Sequence, residues 1–243
     1  MRIPRLFIDI PLSAGESVSI PRDKVHHLTH VLRMHVGDAV KLFNDSGNEF
    51  DATIIALTKK NAEVEIKELH QVDNESSLKI TLCLAVARGQ QMDYSIQKAV
   101  ELGVNSVIPV MSEFSNVKLR DDRLNNKMMH WQNIIISATE QCGRNRLAQL
   151  QLPVSFSKCL VMDKTKTRLI LQPGCQQSMP AITPINNQLT LIIGPEGGFS
   201  ETEVDEAIEA GAMPVSLGPR ILRAETAVVS ALSNAQQLWG DLN

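Results

Sequence analysis

The chain has 243 residues, of which 43% are hydrophobic and 21% charged, with a formal net charge of −3. That is enough for one large or two unequal domains with a real core, and the composition argues against disorder. No run approaches the roughly 20 apolar residues of a membrane span, and Asp9 and Pro11 interrupt any signal-peptide core, so a cytoplasmic protein without a membrane segment is expected.

In chain order, residues 1–70 read as a small β-rich domain. Val40–Phe43, Glu49–Ile55 and Ala62–Ile66 alternate apolar and polar residues in part, as half-buried strands do, and the cluster 44–48 marks a turn between the first two. A helix starting at Pro21 places Val25, Leu28, Val31 and Leu32 at helical spacing and ends before Gly37. Short strands of this kind hide their edges most simply in a barrel. The polar stretch 71–77 is expected to be a linker.

From residue 78 to 243 the rhythm becomes strand, helix, strand, helix. Strands are expected at Leu78–Ala87, Ser106–Met111, Arg168–Leu171, Leu189–Ile193 and Met213–Leu217. Helices are expected at Gln90–Leu102, capped by Gly103, at Asp121–Cys142, after Ser200 with a capping box to Glu203, and at Ala224–Trp239. Such alternation predicts an α/β domain with a mostly parallel sheet covered by helices. Cys83, Cys142, Cys159 and Cys175 lie far apart without a metal-ligand spacing, which argues for reduced thiols and against a zinc site.

Charge is unevenly spread. Lys118, Arg120, Arg123, Lys127, Arg144, Arg146, Lys158, Lys164, Lys166 and Arg168 face only Asp121, Asp122, Glu140 and Asp163 over residues 114–168, whereas acids dominate after residue 192. A basic face of this kind suits a phosphate-rich partner, although a solvated mixed surface gives the same counts. Two loops then stand out at the carboxyl ends of strands, where parallel sheets bind ligands. Gly194-Pro195-Glu196-Gly197-Gly198-Phe199-Ser200 carries three glycines where an ordinary turn needs one, and matches neither a Walker loop nor a dinucleotide fingerprint. Leu217-Gly218-Pro219-Arg220-Ile221-Leu222-Arg223-Ala224-Glu225-Thr226-Ala227 joins an apolar wall to several charges, which suits an aromatic ring with a charged tail. Arg223 and Glu225 could also simply neutralise each other at a helix start. Arg88 follows the first strand of this domain, and Arg144 follows a helix end where a cation is stabilising in any case.

These two loops, with Met92 and 96–104, Glu140-Gln141, Gly143-Arg144, His26-His27-Leu28, Val31-Leu32-Arg33 and Gly37-Asp38, closely resemble the RsmE family of small-subunit ribosomal RNA uridine-N3 methyltransferases in the SPOUT superfamily. The resemblance covers essentially the whole chain. Phe114 departs from it, standing where that family usually has arginine, and Arg88 stands where lysine is frequent. The resemblance implies a PUA-like RNA-binding barrel over 1–70 and a SPOUT methyltransferase domain over 78–243 with a trefoil knot. It further implies a homodimer, S-adenosylmethionine as cofactor, and ribosomal RNA as partner. Leu171, Gly194, Leu217, Gly218 and Leu222 would hold the adenosine, and Pro195, Glu196, Gly197 and Ile221 complete the expected cofactor site.

Methyl transfer from a sulfonium needs no metal. It needs alignment and an electron-rich uracil N3, so Glu225 as proton acceptor and Arg223 as anion stabiliser are the expected catalytic pair. Arg2, Arg5, Arg22, Lys24, Arg33, Arg88 and Arg144 are the expected RNA contacts. A sister enzyme acting on guanine or a ribose hydroxyl, a non-catalytic RNA-binding protein, and a nucleotide hydrolase are the competing readings. The last lacks a phosphate-gripping lysine after the glycines.

Overall fold

The computed structural model describes residues 3–115, 121–162 and 167–242. They form two compact units, Met1–Glu75 with Thr139–Leu147, and Ser76–Ala138 with Ala148–Asn243. The first switch falls inside the segment 71–77. The return of 139–147 to the first unit has no counterpart in the sequence expectation.

In the first unit, strands β1 (Arg5–Phe7), β2 (Ser17–Ser19), β3 (Ala39–Phe43), β4 (Asn48–Leu57) and β5 (Ala62–Gln71) make one sheet in the order β1-β3-β4-β5-β2. β1 runs parallel to β3, and the other pairs are antiparallel. Register shifts at Asp51/Ala52 and Ile54/Ala56 mark irregularities in the long β4–β5 ladder, of the kind that bends a strand. Helix α1 (Arg22–His26) runs on into a π-helical turn, His27–Val31, and buries Val25 and Leu28 against Val40, Leu42, Ile54, Val64 and Ile66. Thr29 returns its hydroxyl to the Val25 carbonyl at 2.9 Å within this segment.

Residues 139–147 are stitched to that sheet by polar contacts. Glu140 accepts from the Phe7 amide at 2.8 Å and pairs with Lys24. Arg144 forks onto Glu75 at 2.9 and 2.7 Å, with side chains only 5% and 7% exposed. Asn145 donates to the Val72 carbonyl at 3.1 Å, and the Leu147 amide donates to Asp45 at 2.6 Å.

The second unit holds β6 (Lys79–Ala85), β7 (Ser106–Met111), β8 (Gln149–Leu150), β9 (Val154–Ser155), β10 (Thr167–Leu171), β11 (Gln188–Ile193) and β12 (Met213–Val215). All pair in parallel in the order β12-β10-β11-β6-β7-β8, with β9 also on β7. Its helices are α2 (Gly89–Glu101), α3 (Asp121–Cys142, whose end belongs to the first unit), α4 (Phe156–Val161), α5 (Glu201–Glu209) and α6 (Ala224–Trp239). The register aligns Ile170, Ile192, Cys83 and Ile108 in one row across four strands, under Phe156, Cys159, Leu160 and Ala207 of α4 and α5. Alternate residues such as Leu82 and Leu191 point to the other face, where α2 packs on α6. Both faces are therefore covered, which is why these strands read as continuous apolar runs.

Buried Gln236 ties α6 to the end of α2: its amide donates to the Leu102 carbonyl at 2.9 Å and its oxygen accepts from Ser76 at 2.8 Å. Gly103, at φ +80°, gives that amide room, since a Cβ there would sit 2.6 Å from its nitrogen. Arg168, 5% exposed, donates to the carbonyls of Leu160 and Ala210 at the ends of α4 and α5. The Cys159 thiol is held below its ordinary range by a hydrogen bond with Cys83 and by the Arg168 charge, against the opposing effect of burial. Among the described residues no helix is long and apolar enough to cross a membrane.

Candidate active site

Three adjacent strands, β12, β10 and β11, end at one cavity of about 360 Å³ in the second unit. Its place beyond strand carboxyl ends and its size both suit a small-molecule site. The loop after β11 turns tightly, with the Gly198 amide donating to the Pro195 carbonyl at 2.9 Å and Gly198 at φ +73°. A Cβ on Gly194 would lie 3.2 Å from the Gly198 carbonyl carbon and from the Phe199 ring. Glycine is what lets this loop fold back on itself and leave backbone facing the cavity.

The loops after β10 and β12 run side by side. The Gln172 amide donates to the Val215 carbonyl at 3.0 Å, the Ser216 amide to the Gln177 carbonyl at 2.9 Å, and Ser178 bridges Ser216 in parallel. Ser216 Oγ accepts from the Gly218 amide at 3.2 Å, bending the chain where Gly218 has φ +108°.

The loop after β11 ends at the start of α5. Ser200 and Glu203 form the expected capping box, with bonds of 3.3 and 3.1 Å. The other Glu203 oxygen accepts from the Glu113 amide at 2.8 Å, so one buried carboxylate joins the loops after β11 and β7.

All nine residues singled out for a cofactor line this one cavity: Leu171, Gly194, Pro195, Glu196, Gly197, Leu217, Gly218, Ile221 and Leu222. Gln172, Pro173, Phe199, Ser216, Arg220, Ala224 and Ala227 line it too. Of these, Gln172-Pro173 was open to sequence reasoning, because it directly follows a third parallel strand. Arg223 and Glu225 flank the lining residue Ala224 in the first turn of α6 without lining the cavity themselves. Arg223 is exposed, and its carbonyl accepts from the Ala227 amide at 2.8 Å. Glu225 carries a buried carboxylate oxygen, Oε2, with no hydrogen-bond partner among the described residues.

The basic residues separate into two groups. Arg22, Arg33 and Arg88 are exposed at the surface, Arg88 at the start of α2 beyond the end of β6. Arg5 and Arg144 depart from the expected phosphate-contacting role, because their guanidinium groups are buried within the first unit. Arg5 pairs with Glu49, donates at 2.7 Å to both the Arg144 carbonyl and Asn145, and lies over the Phe43 ring. Lys24 is mostly covered and pairs with Glu140. Arg2, like Lys118, Arg120, Lys164 and Lys166 of the basic stretch, lies outside the described residues.

Residues 74–236 match the family model of an RNA methyltransferase domain, and residues 20–67 that of an RNA methyltransferase PUA domain. The chain is 35% identical to ribosomal RNA small subunit methyltransferase E of Buchnera aphidicola subsp. Schizaphis graminum, covering 100% of this chain and 99% of the relative. It is 30% identical to the protein of the same name from Bacillus subtilis, covering 94% of each. Among solved structures, a Legionella pneumophila protein in complex with bound SAM superposes with a TM-score of 0.96 at 38% identity, covering 100% of both chains. A ribosomal RNA small subunit methyltransferase E from Neisseria gonorrhoeae bound to S-adenosyl methionine superposes with a TM-score of 0.93 at 37% identity, again over 100% of both.

Proposed function

The chain belongs to the ribosomal RNA small subunit methyltransferase E family, and from that premise we propose that it uses S-adenosylmethionine to methylate small-subunit ribosomal RNA at N3 of a uridine. The observation that carries this reading is the convergence of both glycine-bearing loops on one cavity beyond β10, β11 and β12.

The residues present fit such a cofactor. Leu171, Ile193, Leu217 and Leu222 offer an apolar wall for an adenine ring, and Gly194 and Gly218 let a ligand approach the backbone with no side chain between. Glu196 and Arg220 place opposite charges on the exposed rim, matching the ammonium and carboxylate of a methionine tail. When bound, the cofactor supplies an activated methyl group and therefore no metal is called for. The chain supplies position and charge. The Glu225 carboxylate, beside the lining residue Ala224 in the first turn of α6, accepts the N3 proton of the uracil in this reading. Exposed Arg223, two residues away, balances the negative charge that develops on the ring. Phosphates are held by exposed Arg22 and Arg33 of the first unit and Arg88 of the second.

The remaining parts of this reading are a trefoil knot, a homodimer and a cytoplasmic location. The side-by-side course of the loops after β10 and β12 supports a knot, which is otherwise rare.

Calorimetry with S-adenosylmethionine should show one saturable site, and mass spectrometry of small-subunit ribosomal RNA treated with the protein should place one new methyl group on a uracil base. Glu225→Gln should keep cofactor affinity while slowing transfer by roughly 10²–10⁴-fold. A methyl group on guanine or on a ribose hydroxyl would favour the sister activity, and absence of cofactor uptake would end the enzyme reading.

A further inference from the structure

Building on the RNA-methyltransferase reading, we propose that Phe114 is a stacking platform on which an unpaired base of the RNA rests beside the cavity. Phe114 leaves the carboxyl end of β7 and reaches the glycine loop of β11. A Cβ on Gly197, which lines the cavity, would lie 3.3 Å from the Phe114 Cβ. The glycine therefore admits this close approach, and the aromatic residue stands at the border of the site.

Its backbone is held on both sides. The Glu113 amide donates to Glu203 at 2.8 Å, on the same carboxylate that caps α5. Ser112 and Ser115 close a turn around Phe114, with the Ser115 amide donating to the Ser112 carbonyl at 3.0 Å, the Ser112 amide donating to Ser115 Oγ at 3.1 Å, and the two hydroxyls 2.9 Å apart. The chain thus spends several hydrogen bonds on keeping one apolar side chain in a fixed place.

That side chain is not there for the core. Phe114 is 43% exposed, and it is the one phenylalanine of the six found among the exposed large hydrophobic residues. A pinned, exposed aromatic beside a ligand cavity is what single-stranded RNA recognition uses, because every unstacked base offers a flat face while only some offer a given hydrogen-bonding edge. An enzyme that must reach N3, an atom on the pairing edge, needs its substrate base unpaired, and stacking on a fixed ring compensates for the lost pairing.

The test compares wild type with Phe114→Ala, Phe114→Leu and Phe114→Trp. Binding of unmodified small-subunit ribosomal RNA, naked and in assembled subunits, is measured alongside methyl transfer, cofactor affinity and sedimentation. Phe114→Ala and Phe114→Leu should each weaken RNA binding roughly five- to hundredfold, and Phe114→Trp should stay within about twofold of wild type. Cofactor affinity should be the same in all four. Wild-type RNA binding in Phe114→Leu would mean packing rather than stacking and would overturn the proposal. So would a loss of cofactor affinity with RNA binding intact, or a change in sedimentation that marks Phe114 as a protein contact. A wild type that methylates this RNA beside an unaffected Phe114→Ala sinks the stacking role alone, whereas a wild type that neither binds nor methylates it overturns the underlying reading as well.

Discussion

Removing the Arg144 guanidinium would leave Glu75, 7% exposed, as a buried carboxylate stripped of its bidentate partner. Breaking one side of a buried pair costs about 3–5 kcal/mol, so Arg144→Ala should lower the denaturation midpoint strongly, and adding Glu75→Gln should recover part of the loss. Arg22→Ala should behave oppositely. Its side chain is exposed, so stability should stay within about 0.5 kcal/mol, while RNA affinity falls and the slope of affinity against salt shrinks by about one. Urea melts and a salt titration of RNA binding separate the two. Both residues are plain cations in the sequence. What distinguishes them is a carboxylate brought from 69 positions away, and no local pattern announces such a partner. The cavity residues were legible because their glycines follow apolar strands directly.

At the scale of elements, the capping box at the start of α5 does more than end a loop. Ser200→Ala should cost about 0.5–2 kcal/mol of stability, read by thermal melting. It should also weaken cofactor binding, read by calorimetry, because the same turn ends the glycine loop that lines the cavity. Long periodic elements were readable, and the bounds expected for Ser106–Met111, Asp121–Cys142 and Ala224–Trp239 are those observed. The three-residue strands β1 and β2 and the six-residue α4 are too short to show a period. The expected helix after Pro21 is broken differently: α1 gives way to a π-helical turn, and Arg33 at φ +53° stops it before Gly37. Helical spacing of apolar residues does not report a change of helical pitch.

For the molecule as a whole, the interleaving of the chain is the feature that composition concealed. Residues 71–77 have the polar character of a linker, yet Glu75 belongs to the first unit through Arg144, and Val72 through Asn145. A fragment ending at Glu75 should therefore melt well below the intact chain, and supplying 139–147 as a peptide should raise its midpoint. Equal melting of the fragment with and without the peptide would count against a structural role for that segment.

The same interleaving sets a clock for a nascent chain. Glu75 leaves the ribosome 72 residues before Leu147, the last residue of the returning segment (147 − 75 = 72). At translation speeds of about 5–20 residues per second, the N-terminal unit waits roughly 4–14 s before Glu140 reaches Lys24 and Arg144 reaches Glu75. Vectorial synthesis thus cannot finish this protein one unit at a time, and its N-terminal third stays open to chaperones and proteases until the ribosome has delivered residues 139–147.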